Sequence, residues 1–185
     1  MRAPRRLCMV GVSGLGKTTL LRALAPRLPT YRCLTGSTLL RELCGDEFPR
    51  FDHLPEARKH ELREAAIRRM VQIQDESGSH LLCEGHTTLR SRASGLVEPV
   101  FTAEDCAFFR ELILLHAPVS LVSARRQADV TRQRPSAEAI VHEEMAAEAV
   151  ECHRIAEQHG LRLHQLDVSD PALEEQLLRL LMEDA

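Results

Sequence analysis

The sequence predicts an α/β protein with three layers, in which helices cover both faces of a parallel five-stranded sheet. Short apolar runs alternate with amphipathic segments along the chain, which is the pattern of strands joined by crossover helices. A glycine-rich stretch joins the first run to the first helical segment, where the chain must turn tightly. With 185 residues, the chain is expected to form one domain over residues 1–185.

The first strand is predicted at Leu7–Val10, an uninterrupted apolar run. The loop after it reads Gly11-Val-Ser-Gly-Leu-Gly-Lys-Thr18 and matches the phosphate-binding pattern G-x-x-x-x-G-K-[ST]. A helix follows, with leucines at helical spacing until Pro29 ends the pattern. This order of strand, glycine loop and helix is the context that the motif requires. We therefore predict a site for a nucleoside triphosphate with Mg²⁺.

The residue types in this loop are those that phosphate binding requires. Glycine lets consecutive backbone N–H groups turn inward around a phosphate, and the N-terminus of the next helix favours an anion. Lys17 is expected to reach the β- and γ-phosphates, and the hydroxyl of Thr18 is expected to bind Mg²⁺. The predicted nucleotide-binding residues are Gly11, Gly14, Leu15, Gly16, Lys17, Thr18 and Thr19.

The second strand, Tyr31–Leu34, leads into a Gly-Ser turn and a short helix. Gly36 and Ser37 in this turn can hold a second phosphate, with Arg41 one helical turn later as a bidentate partner. A solvated helical arginine is the alternative for Arg41.

A long amphipathic helix is predicted over residues 55–76, where Leu62, Ala66 and Met70 share one face. Its other face is crowded with charge. Most of that face is expected to be solvated, although one arginine could point to the site. Residues 35–76 form the predicted acceptor-binding insertion.

The third strand, His80–Cys83, ends at the polar sequence Glu84-Gly-His86. Parallel sheets bind ligands at the carboxyl ends of their strands, so Glu84 is predicted to hold Mg²⁺ together with Thr18. A surface glutamate at a strand end is the alternative. His86 could orient Glu84, contact an acceptor or bond locally, and the sequence leaves these roles open.

A loop-rich insertion is predicted from residue 87 to about residue 104. Arg90 and Arg92 lie in it, and at least one of them is expected to contact the acceptor. The fourth strand follows at Leu112–Leu115, and Pro118 is expected at the first position of the next helix.

An arginine-dense connector is predicted over residues 125–136. It contains Arg125, Arg126, Arg132 and Arg134. We expect these four arginines to form a short lid that closes over the triphosphate and excludes water. A basic solvated loop is the alternative.

The last part of the chain continues the alternation of helix and strand. Ser136 is the expected N-cap of a helix that ends at Gly160. A strand is predicted at Leu161–Leu166, and a final helix is expected after Pro171.

Composition narrows the classes of partner. The net charge is -3, and no segment approaches the apolar length of a membrane span, so we expect neither nucleic-acid nor membrane partners. The six cysteines are scattered without a C-x-x-C pair, which favours reduced thiols in a cytoplasmic protein and excludes a zinc-bound lid. The apolar run after the first arginines is a strand and not a signal peptide. The oligomeric state stays open.

The motifs as a set resemble the adenylate kinase group of nucleoside monophosphate kinases, most closely the small archaeal-type adenylate kinases. The matching segments, in the same order as in that family, are residues 11–19, residues 35–41, the Glu84-Gly-His86 turn, residues 131–134 and the acidic helix after them. The resemblance implies a P-loop kinase fold and small-molecule nucleotide substrates. It implies transfer of the ATP γ-phosphate to a nucleoside monophosphate, with AMP favoured.

The resemblance also implies residue roles. Arg41 and Arg90 would hold the acceptor phosphate, and the catalytic residues would be Lys17, Arg90, Arg132 and Arg134. The chain departs from the family by having Glu84 where Asp is usual, and by lacking the usual acceptor-base signature after it. Two alternatives therefore stay open, which are a kinase of another small acceptor and a partner-regulated P-loop ATPase.

Overall fold

The computed structural model describes residues 3–92, 94–131 and 134–182. The strands are β1 (Arg6–Val10), β2 (Tyr31–Thr35), β3 (His80–Glu84), β4 (Thr88–Arg90), β5 (Val97–Pro99), β6 (Glu111–His116) and β7 (Arg162–Asp167). The helices are α1 (Lys17–Leu24), α2 (Gly36–Cys44), α3 (Glu56–Ser77), α4 (Ala103–Phe108), α5 (Val119–Ala128), α6 (Glu138–His159) and α7 (Leu173–Met182), with 3-10 segments at Ala25–Arg27 and Gly45–His53.

The main sheet has five strands in the order β2-β3-β1-β6-β7, and every neighbouring pair is parallel. The chain passes from β1 to β2 and β3 on one side, and later to β6 and β7 on the other. A crevice therefore opens at the carboxyl end of β1, where open α/β sheets bind their ligands. The predicted fold class is confirmed.

Two hydrophobic clusters form the core, one on each face of the sheet. Alternate residues of β1 enter different clusters, since Leu7 and Met9 pack with α1 and α7 while Cys8 and Val10 pack with α3 and α6. Parallel strands need this double cover because both of their faces are apolar.

The insertion predicted as a loop at residues 87–104 contains more structure than expected. The strands β4 and β5 form an antiparallel hairpin, and a capping box between Thr102 and Asp105 starts the short helix α4. Three-residue strands are too short for an alternating pattern to be recognised in the sequence.

Two predicted helix starts and one connector were wrong in detail. Helix α5 continues to Ala128, so Arg125 and Arg126 lie on a helix and not in a connector, because no breaker precedes Asp129. Pro118 is the N-cap of α5 and not its first residue. Ala137 is the N-cap of α6, while the carbonyl of Ser136 accepts a hydrogen bond from Ser123.

Within the described ranges, no helix is long and apolar enough to cross a bilayer. All six cysteines are free thiols.

Candidate functional site

The phosphate-binding loop has a backbone that only glycine adopts without strain. Gly11, Gly14 and Gly16 have φ values of +141°, +96° and +87°. A Cβ atom on Gly11 would lie 2.7 Å from Leu15 Cδ1 and 2.8 Å from the carbonyl oxygen of Leu115. Gly16 leads directly into α1, whose first turn carries Lys17, Thr18 and an exposed Thr19. The seven predicted nucleotide-binding residues therefore lie together.

Lys17 crosses the loop and is only 7% exposed. Its ammonium group donates hydrogen bonds to the carbonyl oxygens of Gly11 and Val12. Burial lowers the pKa of Lys17 to about 8, against the opposing effect of the carboxylates of Glu148 and Glu84. The side chain is thus a buried cation at the position where a phosphate would bind.

Glu84 has the donor geometry of a cation site. Its Oε1 accepts a 2.8 Å hydrogen bond from the hydroxyl of Thr18. Its Oε2 is buried and has no hydrogen-bond partner among the described residues. A buried carboxylate oxygen without a partner is costly unless a ligand binds it. The carboxylate of Glu84 and the hydroxyl of Thr18 together fit Mg²⁺, which prefers oxygen ligands.

Glu148, on α6, is a buried carboxylate that the sequence analysis missed. It is 1% exposed and accepts hydrogen bonds from the backbone N–H groups of Gly11, Thr87 and Thr88. It therefore joins the phosphate-binding loop to the segment after β3.

Arg126 is a second buried charged residue, and it lies on α5 instead of in the predicted connector. Its guanidinium donates to the carbonyl oxygens of Ser13 (2.9 Å) and Pro135 (2.9 Å) and pairs with Glu144 at 2.8 Å. Glu144 also pairs with Arg90 at 2.7 Å. One hydrogen bond and two ion pairs thus connect the phosphate-binding loop through α6 to the β4–β5 hairpin.

The other predicted lid arginines have different surroundings. Arg125 donates a 3.1 Å hydrogen bond to the carbonyl of Leu15. Arg134 lies 3.6 Å from Asp129 and lines a cavity described below. Arg132 lies outside the described residues.

Two adjoining cavities open beside the phosphate-binding loop. We name them the outer cavity, of about 380 Å³, and the inner cavity, of about 370 Å³. The outer cavity lies between the loop, the β4–β5 hairpin and the start of α6. The inner cavity lies under α3 and has both Lys17 and Glu84 in its wall. The residues that line both cavities are Phe51, Asp52, Arg63, His86, Leu89 and Val100.

Arg63, on α3, lies where the two cavities meet. No hydrogen bond or ion pair reaches its guanidinium from the described part of the chain, although the charges of Glu56, Asp105 and Glu98 are near. Burial lowers the pKa of Arg63, and those carboxylates oppose the effect. The sequence indicated only that one arginine of this helix could point inward.

The predicted acceptor residues are only partly brought together. Gly36 and Ser37 line the inner cavity. Arg41 lines neither cavity and its guanidinium stacks on the ring of Phe48, 4.7 Å from the centroid. Arg90 lines the outer cavity, with its guanidinium bound to Glu143 and Glu144.

The remaining predicted residues, Arg92 and His86, also line the cavities. Arg92 lines the outer cavity and pairs with Asp52 at 3.0 Å. His86 has a pKa well below its ordinary value because it is desolvated and lies near Lys17 and Arg134. Its imidazole is therefore neutral at pH 7.

Solved structures similar to this chain share its whole fold. A shikimate kinase from Acinetobacter baumannii in complex with shikimate is 16% identical, with a TM-score of 0.64 over 98% of this chain and 94% of that one. A shikimate kinase from Bacteroides thetaiotaomicron is 17% identical, with a TM-score of 0.56 over 97% and 98% of the two chains. A gluconokinase from Sinorhizobium meliloti 1021 is 17% identical, with a TM-score of 0.56 over 100% and 95%.

The comparison with curated proteins gives no match. A family model described as an AAA domain matches residues 10–142, from the end of β1 through the phosphate-binding loop to α6. The adenylate kinase type that the motifs resemble is not confirmed by any of these matches. The match to the family model spans most of the sequence, so this chain belongs to the AAA domain family of P-loop proteins, with the fold of a P-loop kinase.

Proposed function

We propose that this protein is an ATP-dependent kinase that phosphorylates a small-molecule acceptor bound in the inner cavity. The proposal rests on the composition of one cavity wall. Lys17 and Glu84 line this cavity, and Arg63 lines it too, without an ion-pair partner among the described residues. A cavity that contains both the donor residues and an available cation is suited to hold an acceptor next to a transferable phosphate.

ATP would bind along the loop from Gly11 to Gly16, with its phosphates against the start of α1. Thr18 and Glu84 would hold Mg²⁺, which neutralises phosphate charge when bound. Lys17 would stabilise the transferring phosphoryl group. Arg134 lines the outer cavity and would add positive charge near the transferring phosphoryl group. Arg132 is proposed from the sequence for the same role.

The lining of the inner cavity favours an acceptor that carries both hydroxyl and anionic groups on a carbon framework. Arg63 would bind the anionic group, since a half-buried guanidinium gains most from a bidentate oxyanion. Asp105 and Asp52 in the same wall can accept hydrogen bonds from hydroxyl groups. The apolar wall that would contact the framework includes Leu40, Ile67, Met70 and Phe109.

In the reaction, an acceptor hydroxyl oxygen bonds to the γ-phosphorus while the bond from that phosphorus to the β,γ-bridging oxygen breaks. ADP leaves and the hydroxyl proton is released. Catalysis of this step depends on positioning and charge, because no covalent enzyme intermediate is required. The neutral imidazole of His86 lines both cavities and would contact the acceptor.

A nucleoside monophosphate, and AMP above all, is the acceptor that the sequence resemblance favours. Two observations weaken this choice. Arg41 lies outside both cavities, and Arg90 is already paired with two carboxylates. The structural neighbours, named as shikimate kinases and a gluconokinase, favour the small-molecule acceptor that was the alternative.

The test is ADP formation from MgATP with a panel of acceptors, namely hydroxylated carboxylic acids, sugar acids, nucleosides and nucleoside monophosphates, with a sample that has no acceptor. We expect one acid to accelerate ADP formation, and Arg63→Gln to require a much higher concentration of that acid for the same acceleration. Acceleration by AMP that is lost in Arg41→Ala and kept in Arg63→Gln would establish the monophosphate kinase instead. One slow rate with every acceptor would overturn both proposals and favour the partner-regulated ATPase.

A further inference from the structure

Glu148 binds four hydrogen-bond donors with one carboxylate. Its Oε1 lies 3.0 Å from the backbone nitrogens of Gly11 and Thr87. Its Oε2 lies 2.8 Å from the nitrogen of Thr88 and 2.6 Å from the hydroxyl oxygen of the same residue. Every oxygen of this buried group therefore has two donors, so its hydrogen-bonding capacity is nearly filled.

These donors belong to the two halves of the site. Gly11 is the first residue of the phosphate-binding loop, which is the half of the site that would hold ATP. Thr87 and Thr88 begin the β4–β5 hairpin, and Leu89 in that hairpin lines both cavities. The carboxylate thus fixes the distance between the loop that would hold ATP and the wall that would hold the acceptor.

A carboxylate is well suited to this task and an amide is not. Burying a charge costs several kcal/mol unless hydrogen bonds compensate it, and about four charge-assisted bonds do so here. Glutamine has one accepting oxygen and one donating NH₂ group. At position 148 its NH₂ group would face either the N–H groups of Gly11 and Thr87 or the N–H group of Thr88. The hydrogen bonds to that side of the carboxylate would therefore be lost.

We propose that Glu148 is a positioning residue for phosphoryl transfer, because its carboxylate holds the phosphate-binding loop and the acceptor hairpin at a fixed separation. The proposal rests on the kinase function proposed above. It predicts a change in turnover as well as in stability, since a displacement of about 1 Å between reacting groups costs about 10²-fold in rate.

The experiment compares Glu148→Gln, Glu148→Asp and the matched control Glu151→Gln. Glu151 is another buried glutamate on α6 and it pairs with Arg154 at 2.6 Å, away from the loop. The rate of ADP formation is measured against MgATP with the acceptor that the panel identifies, or with water if none does. Calorimetry with the β,γ-imido analogue of ATP gives nucleotide affinity, and amide hydrogen exchange reports on Gly11, Thr87 and Thr88.

For Glu148→Gln we expect turnover to fall by about 10²-fold, with faster exchange at one or more of these amides. Glu148→Asp keeps the charge and should recover part of the turnover, while Glu151→Gln should leave turnover within about twofold of the wild type. A folded Glu148→Gln protein with wild-type turnover and only a lower melting temperature would overturn the proposal, because that is the result of a purely structural role.

Thr88→Val provides a second test if Glu148→Gln does not fold. It removes the hydroxyl donor alone, and we expect turnover to fall by about tenfold, the value of one hydrogen bond to a charged group. Unchanged turnover in this variant would count against the proposal. Failure of the kinase function is distinguishable, because the wild type would then show no acceptor dependence while the effect of Glu148 on nucleotide affinity and on hydrolysis stays measurable.

Discussion

The hydroxyl of Thr18 donates a 2.8 Å hydrogen bond to Oε1 of Glu84, which joins the first turn of α1 to the carboxyl end of β3. The bond leaves the second carboxylate oxygen of Glu84 buried and without a hydrogen-bond partner in the described part of the chain. Two residues 66 positions apart in the sequence are thus ready to share one cation.

Glu84→Gln should weaken the dependence of activity on Mg²⁺. The amide keeps the size of the side chain but loses the charge that attracts the cation. We expect the Mg²⁺ concentration for half-maximal ADP formation to rise by at least about tenfold, and a chelator should abolish activity in the wild type. The exposed Glu76→Gln serves as the control. An unchanged Mg²⁺ titration in a folded Glu84→Gln protein would exclude Glu84 as a ligand.

Arg63→Gln should separate acceptor binding from ATP binding. The guanidinium belongs to α3 and lies in the wall of both cavities, outside the phosphate-binding loop. We expect the KM for the acceptor to rise by about 10-fold to 100-fold, as for loss of a charge-assisted bidentate contact, with the KM for ATP unchanged. Arg68→Gln is the matched control on α3, because its guanidinium is exposed. An equal effect on both KM values would contradict the assignment.

Gly11→Ala should impair ATP binding more than any change at a glycine with open space around it. The new Cβ would meet a backbone carbonyl at 2.8 Å, and a φ of +141° is strained for alanine. We expect a loss of about 1–3 kcal/mol in unfolding free energy and at least about tenfold in affinity for the β,γ-imido analogue of ATP. Gly78→Ala is the control, since its φ is also positive and no atom lies within 4 Å. It should lose stability without losing affinity.

The buried pair of Arg5 and Glu111 should make stability depend on acid pH. Burial raises the pKa of Glu111, but the hydrogen bonds and charge of Arg5, with His164 and Arg162, outweigh it and the net pKa is lowered. A carboxyl with a lower pKa in the folded state stabilises the protein above its unfolded pKa of about 4.3, and this stability is lost as the pH falls through the folded value.

Glu111→Gln should therefore cost about 3–5 kcal/mol of unfolding free energy at pH 7, because it removes the buried negative charge that accepts two hydrogen bonds from Arg5. The difference between variant and wild type should start to shrink as the pH falls below the unfolded pKa of about 4.3. It should be lost as the pH passes the lower folded pKa, where the carboxyl of Glu111 becomes protonated in the wild type. Urea unfolding at several pH values measures both effects, with the exposed Glu175→Gln as the control. A difference between variant and wild type that is the same at every pH would contradict the mechanism.

The fold and the donor half of the site could be predicted because their signals are local. The phosphate-binding loop is contiguous and follows β1, and Glu84 is the last residue of β3, which pairs with β1. The order of the strands therefore brings Thr18 and Glu84 together. The acceptor half depends on which way a helix is turned against the sheet. Arg41 is separated from the cavities by that rotation, although its position in the sequence suited the role.

A sequence signal for the missed residues nevertheless exists. Arg63 occupies the same helical stripe as Ala66, Ile67 and Met70, all of which are buried. Glu148 likewise shares a stripe with buried apolar residues, among them Cys152. A charged residue within an apolar stripe must be paired or bind a ligand. The identity of its partner is set by tertiary contacts that no local pattern contains.

The wall shared by the two cavities has a consequence for chemical probes of this protein. A fragment held in the inner cavity near Lys17 and another held in the outer cavity near Arg134 would lie on either side of a shared wall that includes Arg63 and Leu89. Joining the two by a short tether turns the second binding event into an intramolecular one with an effective concentration in about the millimolar range. Compounds built in this way would bind preferentially to proteins in which one arginine lines both cavities.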